Sequence, residues 1–228
     1  MTLFPHIIKM TDNNDLTKFL LISPFLVLIL TKLGIIFSTN YFRPEISWIP
    51  SFLGYYFSIV LVFFIASKYL SLSIKEILTF SFMPVPKFRI IFLAVIIPAL
   101  LPITAFIFNI KKVPFEFILY IIIFSCINPL FEESFWRGLL NFLPGNKAFR
   151  IIYTAALFSF SHYFLWGYWF KFPMIIIPAV ISTFIMGILW MWFMQKQNNL
   201  LYPIISHFFV DIFNLSVAVY CGFVTFGN

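Results

Sequence analysis

The chain is poor in charge. Only 10% of its 228 residues are charged, with 8 acidic and 15 basic positions, while 62% are hydrophobic. Soluble domains carry about 25% charged residues, so an ordinary soluble fold is excluded. Cysteine occurs twice, at Cys126 and Cys221, in apolar surroundings and outside any CxxC or Cys/His spacing. A zinc finger and a CxxC redox pair are therefore excluded, and both residues read as small buried hydrophobes. There is no HExxH motif, internal repeat, low-complexity segment or soluble domain. Signal-peptide ordering is also missing, because Asp12-Asn-Asn-Asp15 separates Met1 from the first apolar run. The net charge of +7 invites a nucleic-acid reading. Most basic residues, however, sit in short loops between apolar runs, as in membrane proteins, so no nucleic-acid partner is expected.

What the chain has in quantity is hydrophobic length. Mean hydropathy is +1.00, and the 34 phenylalanines supply bulk suited to lipid. The pattern predicts one all-α domain over 1–228, a polytopic transmembrane bundle of about seven spans with kinked helices. A polar N-terminal tail covers 1–17, with a lone solvated histidine at His6. The spans fall near 18–38, 49–66, 88–108, 114–142, 149–166, 174–194 and 200–223. Lys32 interrupts the first near one end, where it can snorkel. A polar connector over 67–87 contains a candidate interfacial turn at 73–78 and the breaker Met83-Pro-Val-Pro86. Pro98 and Pro102 predict a kink in the third span, and Pro129 a bend just before the acids of the fourth. Pro144-Gly-Asn146 ends the fourth. The sixth carries no charge and reads as a packing or lipid-facing helix.

Lysine and arginine placement gives an orientation. With the N-terminus cytoplasmic, that side holds Lys9, Lys18, Lys68, Lys75, Lys87, Arg89, Lys147, Arg150 and Lys196. The opposite side holds Arg43, Lys111, Lys112 and Lys171, so the count is nine against four. The positive-inside rule then predicts a multi-pass cell-membrane protein with its N-terminus inside. The Lys111-Lys112 pair is the main dissent.

Within the fourth run stands Asn128-Pro-Leu-Phe-Glu-Glu-Ser-Phe-Trp-Arg-Gly138. Two carboxylates and a guanidinium at membrane depth cost roughly 2.5–3.5 kcal/mol each. Glu133 and Arg137 are four apart, share a helix face and are expected to form a structural ion pair. Glu132 is turned roughly 140° from Arg137 and reads as the free, working carboxylate. On later spans lie Phe158, His162, His207, Asp211 and Asn214; His207 and Asp211 share a face, with Asn214 near the same stripe. Counting about 1.5 Å per residue from the cytoplasmic ends puts Glu132 about 15 Å deep, His207 about 10–12 Å and His162 about 18–20 Å. One pocket in the cytoplasmic half is expected. No serine or cysteine nucleophile with a plausible base is evident, since Ser161 adjoins His162 and points off its face.

Glu132-Glu133-xxx-Arg137, Phe158-xxx-His162 and His207-xxx-Asp211 resemble, in order, the three motifs of the CPBP intramembrane proteases. That family, formerly Abi, covers CAAX prenyl endopeptidases and bacteriocin-processing and self-immunity proteins. The resemblance spans about 110–220, and Gly138 after the arginine also fits. It implies a helical membrane endopeptidase acting near the cytoplasmic face on a hydrophobic, prenylated or precursor peptide. By that resemblance Glu132 and His162 hold the attacking water, and His207 and Asp211 face the scissile carbonyl. Asp211 either orients His207 or, protonated, donates to the oxyanion, unless Asn214 donates instead; the orienting role is preferred. A metal-free reaction is favoured over a zinc site built from Glu132, His162, His207 and Asp211. A non-catalytic immunity or regulatory protein of the same fold and a proton-coupled transporter are the competing functions. The partners implied are a peptide or lipidated-protein substrate and membrane lipid.

Overall fold

The computed structural model describes residues 14–70, 72–81, 85–169 and 173–222. The readings on His6, Lys9, the Met83-Pro84 part of the breaker, Lys171 and the end of the last span lie outside them. No strand occurs among the described residues, as the sequence predicts. The helices are α1 (Asn14–Tyr41), α2 (Trp48–Leu70), the short α3 (Ile74–Ile77), α6 (Lys147–Phe164), α7 (Pro173–Gln197), α8 (Leu201–Phe213) and α9 (Ser216–Tyr220). Two composite rods complete the bundle, α4 (Phe88–Lys112) and α5 (Phe115–Phe142).

Five helices, α1, α2, α4, α5 and α7, are long and apolar enough to cross a membrane. Large apolar side chains point outward from them, among them Phe57, Phe108 and Phe115, which is 84% exposed; in water such a surface would aggregate. The other two expected spans are built differently. α6 has 18 residues and carries Lys147, Arg150 and His162. The seventh breaks after 13 residues, where Leu215 takes a left-handed φ of 53°, and resumes as α9. Helix α1 is already formed at Asn14, before the expected start of the first span near residue 18, and the rest of the expected tail lies outside the described residues.

Small residues let helices approach closely, as they must where lipid gives no hydrophobic drive to associate. In the α1–α2 hairpin Gly34 and Gly54 face each other, and Thr31 and Ser58 hydroxyls lie 3.4 Å apart. At the α6–α7 contact a Cβ on Gly187 would sit 3.0 Å from the Cα and Cβ of Ala155. Lys32 is half-buried. Its Nζ donates to Phe164 O at 3.0 Å, satisfying a carbonyl at the end of α6.

Proline shapes α4 as predicted. A π turn over Phe92–Ile96 precedes Pro98, and the helix breaks at Leu101–Pro102 before Ile103–Asn109. In α5 the disturbance is displaced. Pro129 lies within the α-helical stretch Phe115–Glu133, and the irregular geometry follows the acids, as a π turn over Ser134–Gly138 and a 3-10 turn over Leu139–Phe142. Gly145, at φ 102°, turns the chain, and Asn146 caps α6 by accepting from Phe149 N at 2.8 Å.

Two ends of the bundle can now be distinguished. The basal end holds α3, the α5–α6 turn and the α7–α8 turn. Asn199 hydrogen-bonds Ser81 there, Leu200 N donates to Thr79 O at 2.8 Å, and Ile77 O packs on Gly138. The distal end holds the α1–α2 and α4–α5 turns and an aromatic cluster in which Phe52 stacks on Trp166 at 4.1 Å beside Tyr220. Gly187→Ala is expected to push α7 off α6 and destabilise the protein by about 1–3 kcal/mol, read as a lower Tm in detergent; an unchanged Tm would show the contact to be slack.

Candidate active site

The π turn of α5 delivers three buried charges to the centre of the bundle. Arg137 Nη1 donates to Glu133 Oε1 at 3.0 Å, with both side chains 0% exposed. Arg137 Nε and Nη2 find no hydrogen-bond partner among the described residues. Aromatic faces stand there instead: Phe158 of α6 lies 4.1 Å and Trp190 of α7 4.9 Å from Cζ. Such cation–π contacts gain strength away from water.

Glu133 does more than pair with Arg137. The same Oε1 lies 2.8 Å from His207 Nδ1. A carboxylate already paired with a guanidinium accepts, so Nδ1 is the donor. His207 stacks on Trp190 at 4.9 Å, and Trp190 Nε1 donates to Ser206 Oγ at 3.1 Å. α7, uncharged over 174–194, therefore supplies a wall of the site as well as a lipid-facing surface, which extends the reading of it as packing. His207 Nε2 stands 3.7 Å from Glu132 Oε2 and 3.7 Å from Asp211 Oδ1. The latter distance is too long for a hydrogen bond. The direct hydrogen bond of His207 is thus to Glu133, while Asp211, expected to orient the ring, stands 3.7 Å away. One helical turn cannot aim Asp211 along the ring, whereas α5 approaches His207 from the side.

Asp211 is itself held. Asn128 Nδ2 donates to Oδ2 at 3.0 Å, Ser216 Oγ reaches Oδ1 at 3.5 Å, and Tyr56 OH donates to Asn128 Oδ1 at 3.2 Å. Both carboxyl oxygens accept, the arrangement of a carboxylate rather than of a donor to an oxyanion. Sequence reading gave Asn128 and Tyr56 no role. Asn128 had a signal, standing four residues before Glu132 on the same face; Tyr56, far away in α2, had none.

His162 Nδ1 lies 2.9 Å from Phe158 O. A carbonyl can only accept, so Nδ1 carries the proton and Nε2 is the acceptor of the neutral ring. Ser161 Oγ donates to the same carbonyl at 2.6 Å, so its proton is committed within its own helix. Glu132 Oε2 is buried and receives no hydrogen bond from the described residues.

Glu132, His162, His207 and Asp211 line one cavity of about 230 Å³, with Asn128 and Asn214 beside them. The cavity is not reached from the basal end. Phe135, Trp136, Leu139 and Leu140, all 0% exposed, fill the bundle there beneath α3. It runs instead toward the distal end, between Leu101–Ala105 of α4 and Pro178–Met186 of α7. Apolar packing around the π turn closes that side. Among the described residues no three of His, Cys, Asp and Glu are placed to hold a metal ion.

Fold and cavity define a polytopic helical membrane protein with a carboxylate–histidine cluster enclosed in its core. Residues 114–213 match the family model described as type II CAAX prenyl endopeptidase Rce1-like. The match runs from the residue before α5 to the last of α8 and contains all three motifs. That match supports the CPBP family of CAAX-type intramembrane proteases for the motif-bearing part of the chain, as those motifs led us to expect. No curated protein and no solved structure matches the chain.

Arg137→Ala strands Glu133 without its guanidinium. A loss of about 3–5 kcal/mol is expected, measured as reduced folded yield and a lower Tm, with most of it recovered when Glu133 is also made Leu. A fully stable single variant would show that the ion pair does not hold the site.

Proposed function

We propose that the protein is an endopeptidase that hydrolyses a peptide bond of a hydrophobic or lipidated substrate inside the membrane, using water and no metal. The observation that supports this most is the gathering of Glu132, His162, His207 and Asp211 around one cavity within a region that matches a protease-family model.

Hydrolysis needs a base for water and a donor for the tetrahedral oxyanion. Glu132 has an unpartnered carboxylate oxygen, and His162 offers Nε2 as a second acceptor. Water between them loses its proton to Glu132 as its oxygen attacks the scissile carbonyl carbon. The carbonyl π electrons move onto oxygen, where Nε2–H of a charged His207 donates to it. Glu133 accepts from Nδ1 and stabilises that imidazolium, as the carboxylate of a serine-protease triad does. Asp211 adds negative charge 3.7 Å from Nε2. Collapse of the intermediate breaks the C–N bond, and Glu132 returns its proton to the leaving amine. The low-dielectric surroundings strengthen each of these interactions.

Glu132→Gln is expected to abolish cleavage of a membrane-peptide library, read by mass spectrometry, while Tm stays at the wild-type value. Cleavage by the variant, or by neither protein, would overturn the hydrolytic reading. Asp211→Asn keeps the shape and removes the charge. It should lower kcat/KM at least about tenfold, or roughly 1.4 kcal/mol. Wild-type or higher activity between about pH 6 and 9 would make the side chain an oxyanion donor instead. A chelator should leave turnover unchanged; inhibition reversed by added zinc would replace the metal-free mechanism.

A further inference from the structure

Asn128 is a buried amide within a membrane-spanning helix, 4% exposed and one turn before Glu132 on α5. Such a group is costly there unless both of its ends are bonded. They are, and to different helices. Oδ1 accepts from Tyr56 OH of α2 at 3.2 Å, and Nδ2 donates to Asp211 Oδ2 of α8 at 3.0 Å. The two ends of an amide have nearly the same shape, so its neighbours choose which way it points. A phenol can donate or accept, whereas a carboxylate only accepts. The order Tyr56 to Asn128 to Asp211 is therefore a run of donors that ends on an ionised carboxylate. Turned around, the amide would set its oxygen against Asp211 Oδ2, two acceptors face to face. The Tyr56 ring is held for this contact by stacking on Phe131, with centroids 4.4 Å apart and planes 17° from parallel.

We propose that Tyr56 and Asn128 are positioning residues of the site: Tyr56 fixes the direction of the Asn128 amide, and Asn128 holds the Asp211 carboxylate so that its other oxygen faces His207. That oxygen, Oδ1, stands 3.7 Å from His207 Nε2 and 3.5 Å from Ser216 Oγ. Asn128 and Glu132 are four apart and share a face of α5. One helix thus sets both cavity carboxylates, Glu132 directly and Asp211 through the amide. Tyr56 lies outside residues 114–213, the stretch that matches the protease-family model. Helix α2 is therefore part of how the site is built, and not only of how the bundle packs. The effect on turnover rests on the hydrolytic reading; the hold on Asp211 and His207 does not.

Tyr56→Phe and Asn128→Leu remove the two bonds with little change of shape. The control is Ser125→Ala, which removes a buried hydroxyl of α5 that has no partner among the described residues. Both variants should lower kcat at least about fivefold while KM stays within about twofold, the signature of an interaction made in the transition state; the control should match wild type. Exchanging the pair, with Asn128→Asp and Asp211→Asn together, keeps the hydrogen bond and moves the charge away from His207. The exchanged protein should regain most of the Tm lost by Asn128→Asp alone, where two carboxylates meet, yet stay at least about tenfold down in kcat. Nitrogen NMR of histidine-labelled protein reads the hold without a substrate, since the chain has three histidines, His6, His162 and His207. The His207 Nε2 signal should move in Tyr56→Phe and Asn128→Leu and stay in place in the control. An unmoved His207 signal, wild-type kcat in both variants, or kcat restored in the exchanged protein overturns the proposal. A moved signal in a protein whose wild type cuts nothing supports the positioning and counts against the hydrolytic reading.

Discussion

One carboxylate oxygen fixes the centre of this molecule. Glu133 Oε1 lies 3.0 Å from Arg137 Nη1 and 2.8 Å from His207 Nδ1, out of contact with solvent. An unpaired charge at that depth costs several kcal/mol, so the chain must bring partners to it or fail to fold. Arg137 comes from the next turn of α5 and His207 from α8. The rings of Phe158 and Trp190, from α6 and α7, close over the guanidinium. Four helices are thereby held in one register by the requirement that a buried carboxylate be neutralised.

That requirement divides the cluster into two layers. On the basal side Glu133, Arg137 and the bulky residues of the irregular end of α5 form a dry foundation. On the distal side Glu132, His162, Nε2 of His207 and Asp211 face the cavity. The foundation orients what lies above it, because the bond at Nδ1 decides which nitrogen of His207 is left to face the cavity. A second support runs through Tyr56, Asn128 and Asp211, linking α2 to α5 and α8. Polar side chains bonded across helices in this way stiffen a bundle that lipid alone would not hold together.

The access route follows from the same packing. Gly138 lets Ile77 O approach so closely that a Cβ would lie 2.9 Å away, and α3 thus lies directly on the end of α5. With that end filled, the cavity lies where the broken helix α4 parts from α7. Pro98 and Pro102 therefore serve the site at a distance, by turning the distal half of α4 away from a straight path.

Much of this was legible in the sequence, for local reasons. Apolar length determined a helical membrane bundle, proline determined the break in α4, and a four-residue spacing put Glu133 against Arg137 and His207 on the face of Asp211. The three motifs marked which ionisable groups would share a pocket. Tertiary structure alone decided the rest. The bond from His207 to Glu133 joins residues 74 positions apart, and nothing in either helix announces it. Tyr56 and Trp190 look like ordinary lipid-phase aromatics until α2 and α7 are docked. Nor does helix depth show which end of a pocket is open: depth is counted along one helix, whereas access depends on which neighbouring side chains fill the space between several.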